Sequence, residues 1–208
     1  MNENSQSKPL MFLISAPSGA GKTTLCTNLL TLNPNMRRAI TCTTRAPRAG
    51  EKDGVDYHFL DPATFLRRVQ SGHFLEHATV YGNSYGTLKS EVMEKLDRGC
   101  DVLINVDVQG AASIRKAAEQ DATLKLALVT VFLTPPTMEI AEKRLRKRGS
   151  DSEEVIQRRL AVARQEAAQW RHFDYLLLSG TPEEDTSKAM AILMAERMRI
   201  GHSIALQL

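Results

Sequence analysis

Residues 10–23 read LMFLISAPSGAGKT, and this stretch decides the fold. The apolar run Leu10–Ser15 is typical of a strand buried in a parallel sheet. Ala16–Thr23 has the spacing of a phosphate-binding loop (P-loop), with Ala16 in place of the usual first glycine. A helix is predicted next, over Lys22–Leu32. A strand, a glycine-rich turn and a helix in this order predict a phosphate bound at the helix N-terminus.

Each residue type in the loop suits that chemistry. Gly19 and Gly21 allow backbone angles and a close approach that a Cβ would block. Lys22 is expected to reach the β- and γ-phosphates of a nucleotide, and the Thr23 hydroxyl to bind Mg²⁺. A chance match is the alternative, and the strand before and helix after the loop argue against it. The predicted ATP-binding residues are Ala16, Pro17, Ser18, Gly19, Ala20, Gly21, Lys22 and Thr23.

Strand-like runs alternate with helical segments along most of the chain, which predicts βαβ units. The predicted fold class is α/β, a three-layer fold of the P-loop NTPase type with a parallel sheet core. Residues 37–88 instead hold short strand-like pieces around one short helix, which indicates a small inserted α+β subdomain. Further buried strands are predicted at Val102–Val106, Leu126–Leu133 and Tyr175–Leu178, and the short pieces at Ile40–Thr44, Tyr57–Leu60 and Phe74–Val80. Helices are predicted at Ala63–Gln70, Lys89–Leu96, Ala111–Ala118, Thr137–Arg148, 152–171 and Glu183–Ile200.

Composition excludes several classes of protein. The chain is 42% hydrophobic and 25% charged with a net charge of +3, which is ordinary for a globular domain and does not by itself indicate nucleic-acid binding. Cys26, Cys42 and Cys100 form no CxxC pair and no metal spacing, a pattern typical of a reducing compartment. No apolar run is long enough for a membrane span. We therefore expect a cytoplasmic protein without nucleic-acid or membrane partners.

A P-loop alone leaves the reaction open, because GTPases, ATPases and small-molecule kinases all carry one. Residues 107–110 read DVQG and superficially resemble the DxxG element of GTPases. However, no NKxD segment follows, so the usual guanine-reading element of a GTPase is missing. This makes a GTPase the less favoured interpretation.

A second informative stretch, residues 43–51, reads TTRAPRAGE. Arg45 and Arg48 lie three apart in a proline-containing loop and can clamp one phosphate. Tyr57 and Tyr85 can each donate a phenolic hydrogen bond to the same phosphate. Solvated surface arginines are the alternative when these residues are taken in isolation.

Several motifs together resemble the guanylate kinase family, in order, over about residues 9–179. The resemblance implies a kinase that moves the γ-phosphate of Mg²⁺-bound ATP to GMP, and also to dGMP, giving ADP and GDP for guanine nucleotide synthesis and recycling. The motifs are TTRAPRAGE from Thr43, YHF from Tyr57, FLEHA from Phe74, GNSYGT from Gly82, VDVQG from Val106 and the segment from Arg144 to Glu154.

The resemblance also implies roles for individual residues. Glu76 would accept hydrogen bonds from guanine N1–H and N2–H₂, a pair of donors that adenine lacks. Asp107 would lie near GMP and Mg²⁺, with Thr23 as the other residue near the metal. The family has a carboxylate where this chain has Asn105, which leaves the role of that position open. The implied GMP site is Thr41, Arg45, Arg48, Tyr57, Glu76, Tyr85, Thr87 and Asp107, and the implied catalytic set is Lys22, Arg45, Arg144, Arg148 and Arg159.

The family pattern divides the chain into a single domain over residues 9–208 after a disordered tail at 1–8. The core comprises 9–36, 89–143 and 172–208, residues 37–88 are the GMP-binding insertion, and residues 144–171 form a helical lid that closes over ATP. Two rivals stay open: a ribose-bisphosphate kinase of the same fold, and a non-catalytic scaffold that resembles the kinase. Glu76 argues against the first and the intact P-loop against the second, while a homo-oligomer stays open.

Overall fold

The computed structural model describes residues 7–80, 82–148 and 152–202, without the side chain of Arg148. The strands are β1 (Met11–Ser15), β2 (Met36–Arg38), β3 (Cys42–Thr43), β4 (His58–Phe59), β5 (Phe74–Val80), β6 (Asn83–Leu88), β7 (Asp101–Val106), β8 (Leu128–Thr134) and β9 (Tyr175–Leu178). The helices are α1 (Lys22–Leu32), α2 (Pro62–Gln70), α3 (Lys89–Asp97), α4 (Val108–Glu119), α5 (Ala122–Ala127), α6 (Met138–Arg148), α7 (Glu153–Ala167) and α8 (Pro182–Arg197), with a 3₁₀ turn at Ala168–His172.

The central sheet has the strand order β2-β7-β1-β8-β9 among the described strands, and every neighbouring pair is parallel. Alternate residues of β1 face opposite layers, as the period of a strand requires. Phe12 and Ile14 pack with α1 and α8, whereas Met11 and Leu13 pack with α3, α4 and α5. Helices therefore cover both faces of the sheet, and the predicted α/β class with a parallel sheet core is confirmed.

A second, smaller sheet has the order β4-β3-β6-β5. Its strands β3 and β4 are parallel, and β6 runs antiparallel to both β3 and β5. Helix α2 packs on this sheet through Phe65, which stacks on Phe74 with 4.6 Å between ring centroids. Asp61 caps α2, since its carboxylate accepts a hydrogen bond of 2.8 Å from the Thr64 N–H.

Helices α6 and α7 pair along a small apolar seam of their own, formed by Ala141, Leu145, Ile156 and Leu160. Arg146 fastens the pair from outside, because its guanidinium contacts Glu142 of α6 and Glu153 of α7. The predicted lid, residues 144–171, contains the last turn of α6 and all of α7, whereas α6 before Arg144 belongs to the predicted core.

Two strands, β2 and β6, are not predicted from the sequence. Strand β2 has only Met36 buried, so its two exposed arginines give no apolar signal. Because β2 pairs with β7, residues 37 and 38 belong to the central sheet and not to the predicted insertion. Strand β6 is polar and contains Gly86, which makes its sequence look like a loop.

Several predicted boundaries are also wrong. The predicted strand from Leu126 begins only at Leu128, because Asp121 caps α5 and the helix takes the preceding apolar residues. The helix predicted to reach Arg171 ends at Ala167 and continues as the 3₁₀ turn. Likewise α8 ends at Arg197 and not at Ile200. The apolar periodicity marks these elements but not the capping residues that set their ends.

The predicted disordered tail is wrong at Lys8, whose N–H donates a hydrogen bond of 2.7 Å to the His202 carbonyl; residues 1–6 lie outside the described residues. None of the helices in the described ranges combines the length and apolar character needed to cross a bilayer.

Candidate active site

The P-loop lies between the end of β1 and the start of α1, where the sequence pattern predicts it. Gly19 and Gly21 have φ angles of 85° and 97°, in the left-handed region that favours glycine. Gly21 is the N-cap of α1, and no described side chain caps this helix end. The N–H groups of the first helical turn are therefore available to an anionic ligand.

Gly19 also lies against helix α6. A Cβ at this position would come within 3.0 Å of the Ala141 carbonyl oxygen and 3.3 Å of Leu145 Cγ. Glycine at position 19 therefore serves both the turn of the loop and its close contact with α6, the helix that leads into the predicted lid.

The side chain of Lys22 points toward the end of the neighbouring strand β7, where its Nζ donates a hydrogen bond of 2.8 Å to the Val106 carbonyl. Burial lowers the pKa of this lysine, while the negative charges of Asp107 and Glu166 act in the opposite direction. A partly buried ammonium group at the carboxyl edge of the sheet thus interacts electrostatically with two carboxylates.

Glu76 lies on β5 directly opposite Thr87 of β6. Its Oε1 accepts a hydrogen bond of 2.7 Å from the Thr87 hydroxyl, and the residue is only 8% exposed. Burial raises the pKa of the Glu76 carboxyl, and the negative charge of Asp107 adds to the shift. Gly86 permits this geometry, because a Cβ there would approach Phe74 to 2.8 Å and the Glu76 carbonyl oxygen to 2.9 Å.

Asp107 and Glu76 converge on one point of helix α4. Asp107 caps this helix by accepting a hydrogen bond of 2.7 Å from the Gly110 N–H. A Cβ built on Gly110 would lie 3.4 Å from both Asp107 Oδ1 and Glu76 Oε2. The two carboxylates that the family pattern assigns to GMP are therefore brought together, one from each sheet.

Arg45, Tyr57 and Tyr85 also come together. The Arg45 guanidinium lies 5.4 Å from the centre of the Tyr57 ring, and the Tyr57 and Tyr85 rings are 6.2 Å apart. Hydrogen bonds to Glu51 and to Tyr85 raise the pKa of Arg45. Glu51 organises the loop, because Oε1 binds Arg45 at 2.8 Å and Oε2 accepts from the Arg48 N–H at 2.7 Å.

Fewer contacts of the side chain fix the two remaining predicted GMP-binding residues, Arg48 and Thr41. Arg48 contributes its backbone N–H to Glu51 while its side chain is exposed. Thr41 lies just before β3, where its carbonyl accepts a hydrogen bond of 3.0 Å from the His58 N–H. Neither of these observations tests the predicted contact with GMP.

A cavity of about 300 Å³ opens beside the P-loop, and we call it the loop cavity. Arg144 of α6 forms part of its wall and donates to the carbonyls of Gly180, at 3.0 Å, and Ala20, at 3.4 Å, and to the Ser179 hydroxyl. Arg144 thus ties α6 to the P-loop and to the segment after β9. The lining residues are Gly19, Ala20, Gly21, Thr24, Leu25, Arg144, Gly180, Pro182 and Asp185.

The two other predicted lid arginines are less defined. Arg159 lies on α7 and is partly buried. The side chain of Arg148 lies outside the described residues. The catalytic roles of both stay predictions.

The oxygen donors at the P-loop fit a metal ion that arrives with a nucleotide. Within the described ranges, no group of three or more His, Cys, Asp or Glu side chains could hold a metal by itself. The exposed Thr23 and Asp107 supply a hydroxyl and a carboxylate, which are the hard oxygen ligands that Mg²⁺ prefers. Because Mg²⁺ usually combines one or two such ligands with water and substrate phosphates, this small set fits it.

Three carboxylates in this region, those of Glu51, Glu166 and Asp185, are not predicted from the sequence. Glu51 lies in the TTRAPRAGE motif, six residues after Arg45, and this spacing is the signal that could have found it. Glu166 interacts electrostatically with Lys22 and Asp107, but its helix carries many other charges. Asp185 follows two glutamates at the start of α8, where acidic residues normally favour the helix dipole and indicate no ligand.

Comparison with known proteins gives one family. A sequence model described as guanylate kinase matches residues 7–196. The guanylate kinase of Sphingopyxis alaskensis is 44% identical over 197 residues, which is 95% of this chain and 87% of that protein. The guanylate kinase of Carboxydothermus hydrogenoformans is 40% identical over 203 residues, 96% of each chain.

The fold agrees with a solved member of the same family. The crystal structure of guanylate kinase from Anaplasma phagocytophilum matches with a TM-score of 0.72 at 31% identity, over 97% of this chain and 93% of that chain. By its sequence, its fold and the carboxylates and arginines gathered around the P-loop, the chain belongs to the guanylate kinase family.

Proposed function

We propose that ATP binds along the P-loop and GMP binds between Glu76 and Arg45, so that the two nucleotides meet near Lys22. The reaction is that of the guanylate kinase family, in which ATP phosphorylates GMP to give ADP and GDP. In this assignment the inserted segment of residues 37–88, apart from residues 37 and 38 of β2, supplies the GMP site. Residues 144–171 supply the lid. We extend the proposal to dGMP as a second acceptor.

The observation that carries the proposal is the buried carboxylate of Glu76. A buried carboxylate requires hydrogen-bond partners, and among the described side chains Glu76 has the Thr87 hydroxyl alone. Guanine offers two adjacent donors, N1–H and N2–H₂, which match a carboxylate in one plane. Adenine offers no such pair, so AMP would leave Glu76 without partners, and sites of this kind discriminate by roughly 10⁴-fold or more.

The phosphate of GMP would bind on the other side of the same pocket. Arg45 can offer its guanidinium there, with Tyr57 and Tyr85 close enough to donate their hydroxyls. Arg48 would complete the clamp once its exposed side chain turns inward, and Thr41 would face the base. The Glu51 contacts support this arrangement, because they hold Arg45 in place before GMP arrives.

Catalysis in this proposal is positioning combined with stabilisation of charge. An oxygen of the GMP phosphate attacks the γ-phosphorus in line with the departing ADP, and no covalent enzyme intermediate forms. Lys22 stabilises the charge that spreads over the phosphate oxygens. Mg²⁺, held by Thr23 and Asp107 partly through water, would add positive charge at those oxygens when it is bound with ATP.

The predicted lid arginines divide into two roles. Arg144 binds the walls of the loop cavity, so we propose that it fixes the ATP site. Arg148 and Arg159 would approach the phosphates when α6 and α7 close, which also excludes water and suppresses ATP hydrolysis.

The proposal extends to the cellular setting. Cys26, Cys42 and Cys100 are free thiols, which suits a reducing compartment such as the cytoplasm. The partners are the small molecules ATP and GMP, with no role for nucleic acid or a membrane.

A coupled assay of ADP release tests the function with GMP, dGMP, AMP and ribose bisphosphate as acceptors, with and without Mg²⁺. We expect turnover with GMP and dGMP only, and its loss when Mg²⁺ is chelated. In Glu76→Gln one acceptor oxygen becomes an NH₂ group that faces one of the two guanine donors, so kcat/KM for GMP should fall about 100-fold while KM for ATP changes little. Glu94→Gln, on the exposed face of α3, is the matched control. Unchanged GMP kinetics in Glu76→Gln would remove that residue from base recognition.

A further inference from the structure

The loop cavity and the Glu76 carboxylate lie on opposite sides of the P-loop. In the central sheet β7 flanks β1 on one side, and β8 and β9 follow on the other. Asp107 follows β7, whereas Gly180 follows β9. A nucleotide whose phosphates follow the P-loop can therefore extend away from GMP into the loop cavity, and about 300 Å³ is a volume typical of small-molecule sites.

The cavity wall holds one buried carboxylate, that of Asp185, which is only 6% exposed. Its Oδ1 accepts a hydrogen bond of 2.7 Å from the Gly180 N–H. Helix α8 is held in place beside it, because Asn28 of α1 donates a hydrogen bond of 3.0 Å to the Thr186 hydroxyl. Asp185 is therefore a fixed acceptor at the wall of the cavity.

The second oxygen of Asp185 is available to a ligand. Among the described residues, the Asp185 carboxylate accepts a single hydrogen bond, the one from the Gly180 N–H. The other oxygen is not one of the fully enclosed side-chain atoms that lack a partner, and Asp185 lines the loop cavity, so a ligand in the cavity can approach this oxygen. An ionised carboxylate only accepts hydrogen bonds, so this oxygen selects for a donor.

Position 6 of a purine distinguishes adenine from guanine and hypoxanthine in this respect. Adenine carries an amino group there, which donates, whereas guanine and hypoxanthine carry an oxygen, which accepts. A carboxylate attracts the first and opposes the second. We propose that Asp185 is the residue that selects the base of the phosphate donor, by accepting a hydrogen bond from the 6-amino group of adenine.

The neighbouring residues after β9 either have no side chain or have a side-chain oxygen that is already hydrogen-bonded. Gly180 offers no side chain, and a Cβ there would lie only 1.9 Å from Glu184 Oε2. That oxygen is engaged, because it accepts a hydrogen bond of 3.0 Å from the Thr181 N–H in the capping box of α8. The Ser179 hydroxyl is likewise engaged by Arg144. This inference rests on the proposed function, since it requires the base of ATP to occupy the loop cavity.

The test compares ATP with ITP, which differs from it in carrying the 6-oxo group of hypoxanthine, as donors at saturating GMP. For the unsubstituted protein we expect kcat/KM to be about 100-fold higher with ATP. Asp185→Asn keeps the oxygen that binds Gly180 and replaces the other with an NH₂ group that can donate to a 6-oxo group. We expect kcat/KM with ITP to rise about tenfold in this variant and kcat/KM with ATP to fall. Misfolding cannot produce a rise in kcat/KM with ITP.

Glu183→Gln, an exposed neighbour on α8, is the control and should leave the ratio of ATP to ITP unchanged. Equal use of ATP and ITP by the unsubstituted protein would overturn the inference, and so would an unchanged ratio in a folded Asp185→Asn variant. Should that variant fail to fold, purine riboside triphosphate, which has only hydrogen at position 6, decides instead. It should be used about tenfold less well than ATP, and equal use would overturn the inference. Absence of GMP phosphorylation with every donor would contradict the proposed function itself.

Discussion

The two sides of the proposed active site would bind their nucleotides with different parts of the chain, one with backbone groups and the other with side chains. The ATP side consists mainly of backbone, namely the P-loop N–H groups between the buried strand β1 and helix α1. The GMP side consists of side chains, among them Arg45 and Glu76, in or next to short strands of the smaller sheet. A backbone site depends on the conformation and space of a few glycines, whereas a side-chain site depends on neighbours that hold each group in place.

This difference predicts that a methyl group suffices to damage the ATP side. Gly19→Ala adds a Cβ at a φ of 85° and within 3.0 Å of the Ala141 carbonyl, so the loop or α6 must move. We expect kcat/KM for ATP to fall about 100-fold, because both conformational strain and steric overlap oppose the loop geometry. KM for GMP should change little in the same steady-state assay.

Gly72→Ala is the control for strain alone. Its φ is 65°, and a Cβ there would meet nothing within 4 Å. We expect a loss of stability of about 1 kcal/mol with normal kinetics. Equal damage to ATP use by both substitutions would contradict a special role for the contact between Gly19 and α6.

On the GMP side, the supporting partner of a side chain should matter. Glu51→Gln weakens the hold on Arg45 and the Arg48 N–H, and we expect KM for GMP to rise about fivefold with little change in KM for ATP. Because the hydrogen bond from Arg45 lowers the pKa of Glu51, the carboxylate remains ionised at pH 5. The rise in KM for GMP, relative to the unsubstituted protein at the same pH, should therefore be similar at pH 5 and pH 8. An unchanged KM for GMP would show that Arg45 needs no such support.

The smallest expected effect is a gain in stability. Burial raises the pKa of Glu76, so its ionised form opposes folding, and the penalty grows as the pH rises through that raised pKa. Glu76→Gln removes the charge but keeps an oxygen for the Thr87 hydroxyl. We expect the Tm of the ligand-free variant to be about 2–4 °C higher at pH 8, and the gain to vanish near pH 4. A lower Tm at pH 8 would contradict the idea that this carboxylate is kept for binding and not for stability.

The same contrast explains what the sequence can predict. The P-loop is local, so the residues between Leu10 and Leu32 specify its strand, turn and helix together, and the structure agrees at each step. The GMP side is assembled from distant segments, and only the family motifs point to Glu76. Strand β6, which carries both Tyr85 and Thr87, has no strand signal of its own.

Carboxylates that lie near the site but belong to distant helices are even harder to predict from the sequence. Asp185 and Glu166 lie on helices rich in charge, and nothing in their spacing marks them. Their position beside the loop cavity and beside Lys22 arises only when α7 and α8 pack against the rest of the chain. Periodicity records which face of a helix is buried, but it carries no information about which ligand that face meets.

The proposed arrangement of the active site places two nucleotides on either side of Lys22, with guanine bound by a buried carboxylate. A crystal structure with GMP and a non-hydrolysable ATP analogue tests it most directly. We expect N1 and N2 of guanine within hydrogen-bonding distance of the Glu76 carboxylate, the GMP phosphate on Arg45, and the analogue along the P-loop. A structure in which GMP binds elsewhere, with the space between Glu76 and Arg45 empty, would contradict it.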